Sequence, residues 1–377
     1  MGICPKRVLW GFGADAVDFN STEEKSIPFS GRPKASSSSA MSTTNPNLWT
    51  ILSESKRIIK AHSRHFLALS VIFLLPISFS VLVFPTLQQL LLLHDDTVAK
   101  SFLSHIHTST SDQRRRRQTL IILSISYAVF ALVFSLCAVA SITYSVFHGF
   151  YGRPVKLVSS LYSILHSFFP LLITTLVCQL LVSALVALFA SSLFLLVKLL
   201  HNILGFDYSS PFFVSFSLLP FIGLLLSLLY LQVIWALVSV IVVSEQQSPS
   251  CWAWGVRPFK RSAHLIKGFQ SVALSIYLYF AICAGILILS SWGLAAAFGG
   301  TDGWKSWAFV LQIVVTSALL TLLFLYLAAA NTVLYMCCKA THGELAMEIA
   351  EEFAREYVRL PFDDGKVPHL VSVVYTT

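Results

Sequence analysis

Ionised side chains are scarce in this chain. Asp, Glu, Lys and Arg make up 12% of its residues, about half the share of a soluble domain. None of its long apolar runs contains an Asp or Glu. That weighs against a proton-coupled carrier, which usually needs a carboxylate at membrane depth, and leaves a uniporter open. Catalytic signatures are missing too: there is no HExxH, G-x-S-x-G, P-loop or G-x-G-x-x-G, so no nucleophile comes with an obvious base. The seven cysteines contain no CxxC pair. No zinc-finger spacing or aromatic-basic platform supports nucleic-acid binding. Neither cofactor nor metal is expected. Asp95, Asp96, His105 and His107 lack any standard ligand spacing and read as a solvated loop. An N-terminal apolar h-region is absent, so no cleaved signal peptide is expected. Asp15, Asp18, Glu23 and Glu24 break a transit-peptide pattern, and Lys6 stands where a myristoylation motif needs Ser or Thr.

What is present is apolar length. The chain is 56% hydrophobic with mean hydropathy +0.74. Six runs cover about residues 66–93, 119–147, 168–200, 212–243, 271–298 and 307–337. A helix rises about 1.5 Å per residue, so about 20 apolar residues cross the hydrocarbon. Each run passes that test, with surplus that tilt absorbs. The expected fold is all-α, a polytopic membrane bundle of six spans over residues 48–340. Before it lies a Ser-rich tail, residues 1–47, expected to be disordered and cytosolic. After it, residues 341–377 hold an amphipathic helix with Leu345, Ile349, Phe353 and Val358 on one side and Glu351 four residues before Arg355. That helix is a candidate contact for a protein partner.

The net charge of +8 concentrates in short loops, which fits orientation and contact with anionic headgroups. An even number of spans puts both termini on one side. That side receives eleven Lys and Arg residues against seven on the other, so it is expected to be cytosolic. The run Arg114, Arg115, Arg116 and Arg117 opposes this assignment. A basic, amphipathic segment precedes each odd-numbered span, at residues 48–60, 155–165 and 256–268. Their apolar rows are Leu48, Ile51, Leu52, Ile58 and Ile59; Leu157, Val158, Leu161, Ile164 and Leu165; and Phe259, Ala263 and Ile266. Three units of interfacial helix plus two-span hairpin are expected.

Polar groups inside the runs are few and neutral. Gln179, Gln232, Gln312 and Asn331 fit interhelical hydrogen bonding. Lys198 can snorkel to a surface. Ala281-x-x-x-Gly285 and Ala295-x-x-x-Gly299 point to close packing of the fifth run. Cys337 and Cys338, adjacent at the end of the last run, are candidates for S-acylation or for simple packing. His148, His166 and His264 sit at run boundaries without a paired carboxylate.

The most distinctive text follows the fourth run. Glu245 ends it, Trp252 and Trp254 suit headgroup depth, and Lys260, Arg261 and Lys267 surround a short helix that Gly268 closes. Together these six side chains, Glu245, Trp252, Trp254, Lys260, Arg261 and Lys267, are a candidate site for an anionic lipid headgroup. Arg261-Ser262, Leu265 and Lys267-Gly268, after Glu245, resemble the six-span membrane domain linked to bacterial glycerophosphoryl diester phosphodiesterases. Leu52-Ser-Glu-Ser-Lys-Arg-Ile-Ile59 and the Ser-rich tail resemble a family of plant six-span proteins. The resemblance covers about residues 48–340. It implies an integral membrane protein and transfers no catalytic residue, because in the bacterial relatives the phosphodiesterase activity belongs to a separate soluble domain.

Three function classes remain in order. A non-enzymatic scaffold or trafficking component of an endomembrane or the plasma membrane, with membrane lipids as partners, comes first. A transporter or channel for a small or lipid-like solute comes second. An intramembrane lipid enzyme, with Glu245 and His264 as its best pair, comes third. The orientation is directly testable. Tags at Met1 and Thr377 should be digested by protease added to the cytosolic face, and a tag at Thr110 should be protected. A digested tag at Thr110 contradicts the assignment.

Overall fold

The computed structural model describes residues 47–101, 110–152, 155–202, 211–245, 255–297 and 307–350, all within one compact unit, Pro46–Thr377. The expected tail 1–47 lies outside them except for Asn47, and so do residues 351–377. Every regular element among the described residues is helical. In chain order these are α1 (Leu48–Ala61), α2 (Ser63–Leu69), a π-helical turn (Ser70–Leu74) and α3 (Leu75–Ser101). There follow α4 (Thr110–Phe150), α5 (Leu157–Asn202), α6 (Pro211–Ile234), α7 (Val238–Glu245), α8 (Arg257–Leu265), α9 (Gln270–Ala297) and α10 (Trp307–Thr341). Six stretches are long and apolar enough to cross a bilayer: Ser63–Gln88, Arg117–Phe150, Leu157–Leu199, Leu218–Glu245, Gln270–Ser291 and Trp307–Thr341. The all-α, six-span bundle expected from hydropathy is the fold observed.

The core sits at the end of the bundle where α1 and α8 lie. There the last turns of α10 are enclosed on all sides, from Thr332 through Lys339. Ile51 and Ile58 of α1, Phe66 of α2, Ile142 and Val146 of α4, Leu237 and Ile241 of the fourth span, and Leu265 of α8 share one cluster with Leu334 and Tyr335. The α1 face follows its sequence pattern. Ile51, Ile58 and Ile59 are buried while Lys56, Arg57 and Lys60 are exposed. The approach is close, because a Cβ on Gly149 of α4 would meet Cγ2 of Ile58 at 3.1 Å.

Three expectations change. Residues 155–165 do not form a separate interfacial helix, since α5 runs through Leu157–Asn202 without a break. Its packing face is also not the apolar one. Ser160, Ser163, Ser167, Leu171 and Thr174 are buried, while Leu157, Val158, Leu161 and Leu165 face outward. In hydrocarbon, leucine gains nothing by facing a neighbour, whereas small side chains let helices approach. The fifth-run motif also packs differently, as a Cβ on Gly285 would meet nothing within 4 Å, and Gly299 lies outside the described residues.

The third change is a break in the fourth span. Trp235, Ala236 and Leu237 form a turn between α6 and α7. The Ser262 hydroxyl of α8 donates to the freed carbonyl of Ile234 at 2.6 Å, and the Phe259 ring packs edge-on against Trp235 at 5.0 Å. Phe259 and Ser262 are buried, as are Leu265 and Ile266, so α8 is wedged into the break. Lipid offers such a carbonyl no partner, and the hydroxyl replaces one. Gly268 then turns the chain into α9 at φ 90°, the left-handed conformation that its place after a short helix led us to expect.

Candidate functional site

Wedging α8 into the break aims Arg261 across the end of the bundle. Its Nε donates to Oε1 of Glu245, the last residue of α7, at 2.9 Å. The guanidinium also forks onto Glu344, with Nη1 to Oε1 at 3.1 Å and Nη2 to Oε2 at 2.5 Å. Glu344 is presented by Gly343, which ends α10 at φ 75° and starts a second helical stretch, residues 344–350. On that stretch Glu348 accepts from Lys339 Nζ at 2.5 Å. Lys339 Nζ also lies 5.7 Å from the Tyr335 ring, and the Tyr335 hydroxyl donates to Glu245 at 3.4 Å. Two cations and three carboxylates thus tie α7, α8, α10 and residues 344–350 into one knot.

The knot is half-buried, with side-chain exposures of 35% for Arg261, 24% for Glu245 and 31% for Glu344. Partial burial alone would pull the Arg261 pKa down. The hydrogen bonds and charges of Glu344 and Glu245 outweigh it and hold the guanidinium protonated above the usual arginine range. A raised folded-state pKa means that this contribution is complete at neutral pH and is lost only far into the alkaline range.

Of the six residues read as a headgroup site, the structure joins Glu245 and Arg261, to each other. Three faces of the guanidinium are occupied, so Arg261 serves the fold before any phosphate. Lys260 and Lys267 are exposed, and Trp252 and Trp254 lie outside the described residues. Cys337 and Cys338 are 3% and 0% exposed and pack in the core. The pair Glu245 and His264 is not brought into contact by any described hydrogen bond. The His264 ring instead stands 5.6 Å from that of His342, and His148 Nδ1 donates to the Tyr144 carbonyl at 3.0 Å. No group of three or more metal-type ligands forms among the described residues. His105 and His107 lie outside them, as do the side chains of Asp95 and Asp96.

Two polar clusters are not assembled from the sequence, although Gln232 and Asn331 of the second read there as interhelical hydrogen-bonding groups. At the start of the first span, His65 Nε2 lies 2.9 Å from Ser145 Oγ, which lies 3.0 Å from Ser160 Oγ. A serine beside an imidazole is the geometry of a nucleophile and base. Both serines are fully enclosed, however, so the cluster stitches α2, α4 and α5 together. Sequence separations of 80 and 95 residues hid it. The second cluster joins three helices deeper in the bundle. Asn331 Nδ2 of α10 donates to the Tyr277 hydroxyl of α9 at 3.2 Å, and Gln232 of α6 hydrogen-bonds the same hydroxyl. Gln312 bonds Thr316 within α10, Gln179 is exposed on α5, and Lys198 rests over the Phe194 ring at 4.7 Å. Glu344 also went unnoticed, although Gly343 just past the last span was a signal for a turn back toward the bundle. A further missed signal is the repeated Arg-Pro-x-Lys at Arg153 and Arg257, which supports equivalence of the second and third basic segments.

Replacing Arg261 should leave Glu245 and Glu344 without their shared cation. Water reaches the knot, so the cost is expected below that of a fully buried pair, about 1–3 kcal/mol. Melting of the detergent-solubilised protein should therefore shift down for Arg261→Ala and hardly move for Lys260→Ala. Equal melting of Arg261→Ala and the native chain contradicts the knot.

No curated protein and no solved structure matches the chain. One family model does, over residues 46–366, which spans every helix described above, and the chain therefore belongs to the family of the domain of unknown function DUF8558.

Proposed function

We propose that this protein is a non-enzymatic membrane scaffold or trafficking component whose basic end faces the cytosol and holds anionic lipids. One observation carries the reading. At the end of the bundle where the core lies, Lys56, Lys60, Lys156, Arg257, Lys260 and Lys267 are exposed, while the half-buried Arg261 is neutralised by two carboxylates. Packing and headgroup contact are thus assigned to different cations. A cation near an anionic surface is worth about 1 kcal/mol, so several together retain lipid without strong selection among headgroups. Residues 344–350, held to the bundle by Glu344 and Glu348, present Met347 outward and are the proposed contact for a protein partner. An endomembrane or the plasma membrane is the proposed location. The likeness to plant six-span proteins and to the bacterial phosphodiesterase-linked membrane domain belongs to this proposal, and rests on residues 52–59 and 261–268.

The transporter reading gains one observation, the break in the fourth span at Trp235, Ala236 and Leu237, since interrupted helices recur in solute sites. That break is filled by α8, and the scaffold reading keeps precedence. The lipid-enzyme reading gains none.

The test leaves Arg261 in place. Native protein and a Lys156→Ala, Lys260→Ala, Lys267→Ala variant are reconstituted in nanodiscs of phosphatidylserine and phosphatidylcholine, and lipids retained after detergent extraction are quantified by mass spectrometry. Phosphatidylserine retention should fall at least about tenfold with phosphatidylcholine unchanged. Unchanged phosphatidylserine in a folded variant removes the lipid-holding role.

A further inference from the structure

The cluster of Gln232, Tyr277 and Asn331 has more hydrogen-bonding capacity than it uses. Asn331 Nδ2 donates to the Tyr277 hydroxyl, and Asn331 Oδ1 is enclosed with no hydrogen-bond partner among the described residues. Turning the amide over only exchanges an orphan acceptor for an orphan donor. Hydrocarbon supplies no water to such a group, and a buried polar atom left unmade is costly. At the other edge of the cluster, Gln232 is exposed, which puts a primary amide where lipid arrives. Tyr277 stands between the two, half-buried.

The depth is specific. Tyr277 lies about two turns into α9 from Gln270, and Asn331 about two turns inside α10 from Lys339, so both sit about 10 Å below that end of the bundle. This is under the phosphates and at the top of the acyl chains. Along α6 and α9, away from the basic end, Leu225, Leu229, Leu278 and Ile282 are exposed, an apolar continuation on both sides of the α6–α9 seam. No ionised group belongs to the cluster. Its chemistry is that of two amides and a phenol, which suits a neutral donor and acceptor and supplies no countercharge for a phosphate or an ammonium.

We propose that Gln232, Tyr277 and Asn331 form a site for the free hydroxyl of an uncharged lipid, entered from the bilayer beside α6. The hydroxyl accepts from the exposed Gln232 amide, and a rotation of the Asn331 side chain brings the orphan oxygen, enclosed without the lipid, to accept its proton. The lipid's apolar body lies along the rows that begin at Leu229 and Leu278. This site is separate from the exposed cations of the basic end and selects on the opposite property, the absence of charge. Diacylglycerol and sterols share the required chemistry, a hydroxyl at the head of an apolar body.

The experiment uses the full chain in phosphatidylcholine nanodiscs with two photoreactive probes, a diazirine diacylglycerol and a diazirine sterol. Each has a counterpart whose hydroxyl is methylated. Labelling is mapped by peptide mass spectrometry in native protein, in Gln232→Leu and in Asn331→Leu. Gln232 is exposed, so Gln232→Leu keeps the fold, and it carries the test if Asn331→Leu does not fold. At least one hydroxyl probe should label peptides of α6, α9 or α10 about threefold to tenfold more than its methyl ether, and Gln232→Leu should remove that excess. The probe that labels identifies the lipid class. Equal labelling by probe and methyl ether, or an excess that persists in Gln232→Leu, overturns the site.

Discussion

A break in a membrane-spanning helix frees carbonyl groups that hydrocarbon cannot solvate, and in this protein a single hydroxyl answers that demand. Ser262 donates to Ile234 at 2.6 Å, which holds α8 in the interruption between α6 and α7. From that placement the rest of the basic end follows. Arg261, one residue earlier, is turned onto Glu245 and Glu344. The carboxylates in turn fix the end of α7 and the chain leaving α10. The enclosed turns of α10, with Tyr335, Cys337 and Cys338 at their centre, are the surface on which these parts close.

How far the sequence reached depended on which physical signal each feature leaves. Spans are a matter of length and hydropathy, so all six were legible, to within a few residues at most ends. The α1 face was legible because that helix packs as a soluble amphipathic helix does, with Ile51 and Ile58 inward. On α5 the apolar row did not mark the contact side, since Ser160, Ser163 and Ser167 are buried and the leucines face outward. The break at Trp235, Ala236 and Leu237 carries neither Gly nor Pro, and its cause lies in Ser262, 28 residues away. Of the six residues read as a headgroup site, Arg261 is taken up by carboxylates on α7 and beyond α10, which sequence reading does not show because a cation's carboxylate partners are set by tertiary contact. Glu344 resembled an ordinary residue of a solvated tail.

The polar groups of the bundle divide by what surrounds them. His65, Ser145 and Ser160 satisfy one another and stitch helices together. Arg261, Glu245 and Glu344 do the same with charge at the bundle end. Asn331 Oδ1 remains unmatched, in a cluster whose Gln232 amide is exposed. Membership of the DUF8558 family carries no activity with it, so the arguments for lipid contact rest on these side chains. On the two proposals above, the protein would meet the bilayer at two depths, with charge at the surface and neutral hydrogen-bonding groups just beneath it.

The central claim is that the Ser262 hydroxyl holds α8 in the break and thereby closes the basic end. Hydrogen–deuterium exchange of native protein and Ser262→Ala in nanodiscs tests it most directly. Removing the hydroxyl should accelerate amide exchange at residues 231–241, in α8, and across the knot at residues 341–350, while residues 312–325 of α10 exchange as before. Exchange in Ser262→Ala that is unchanged at residues 231–241 and 341–350 would contradict the account.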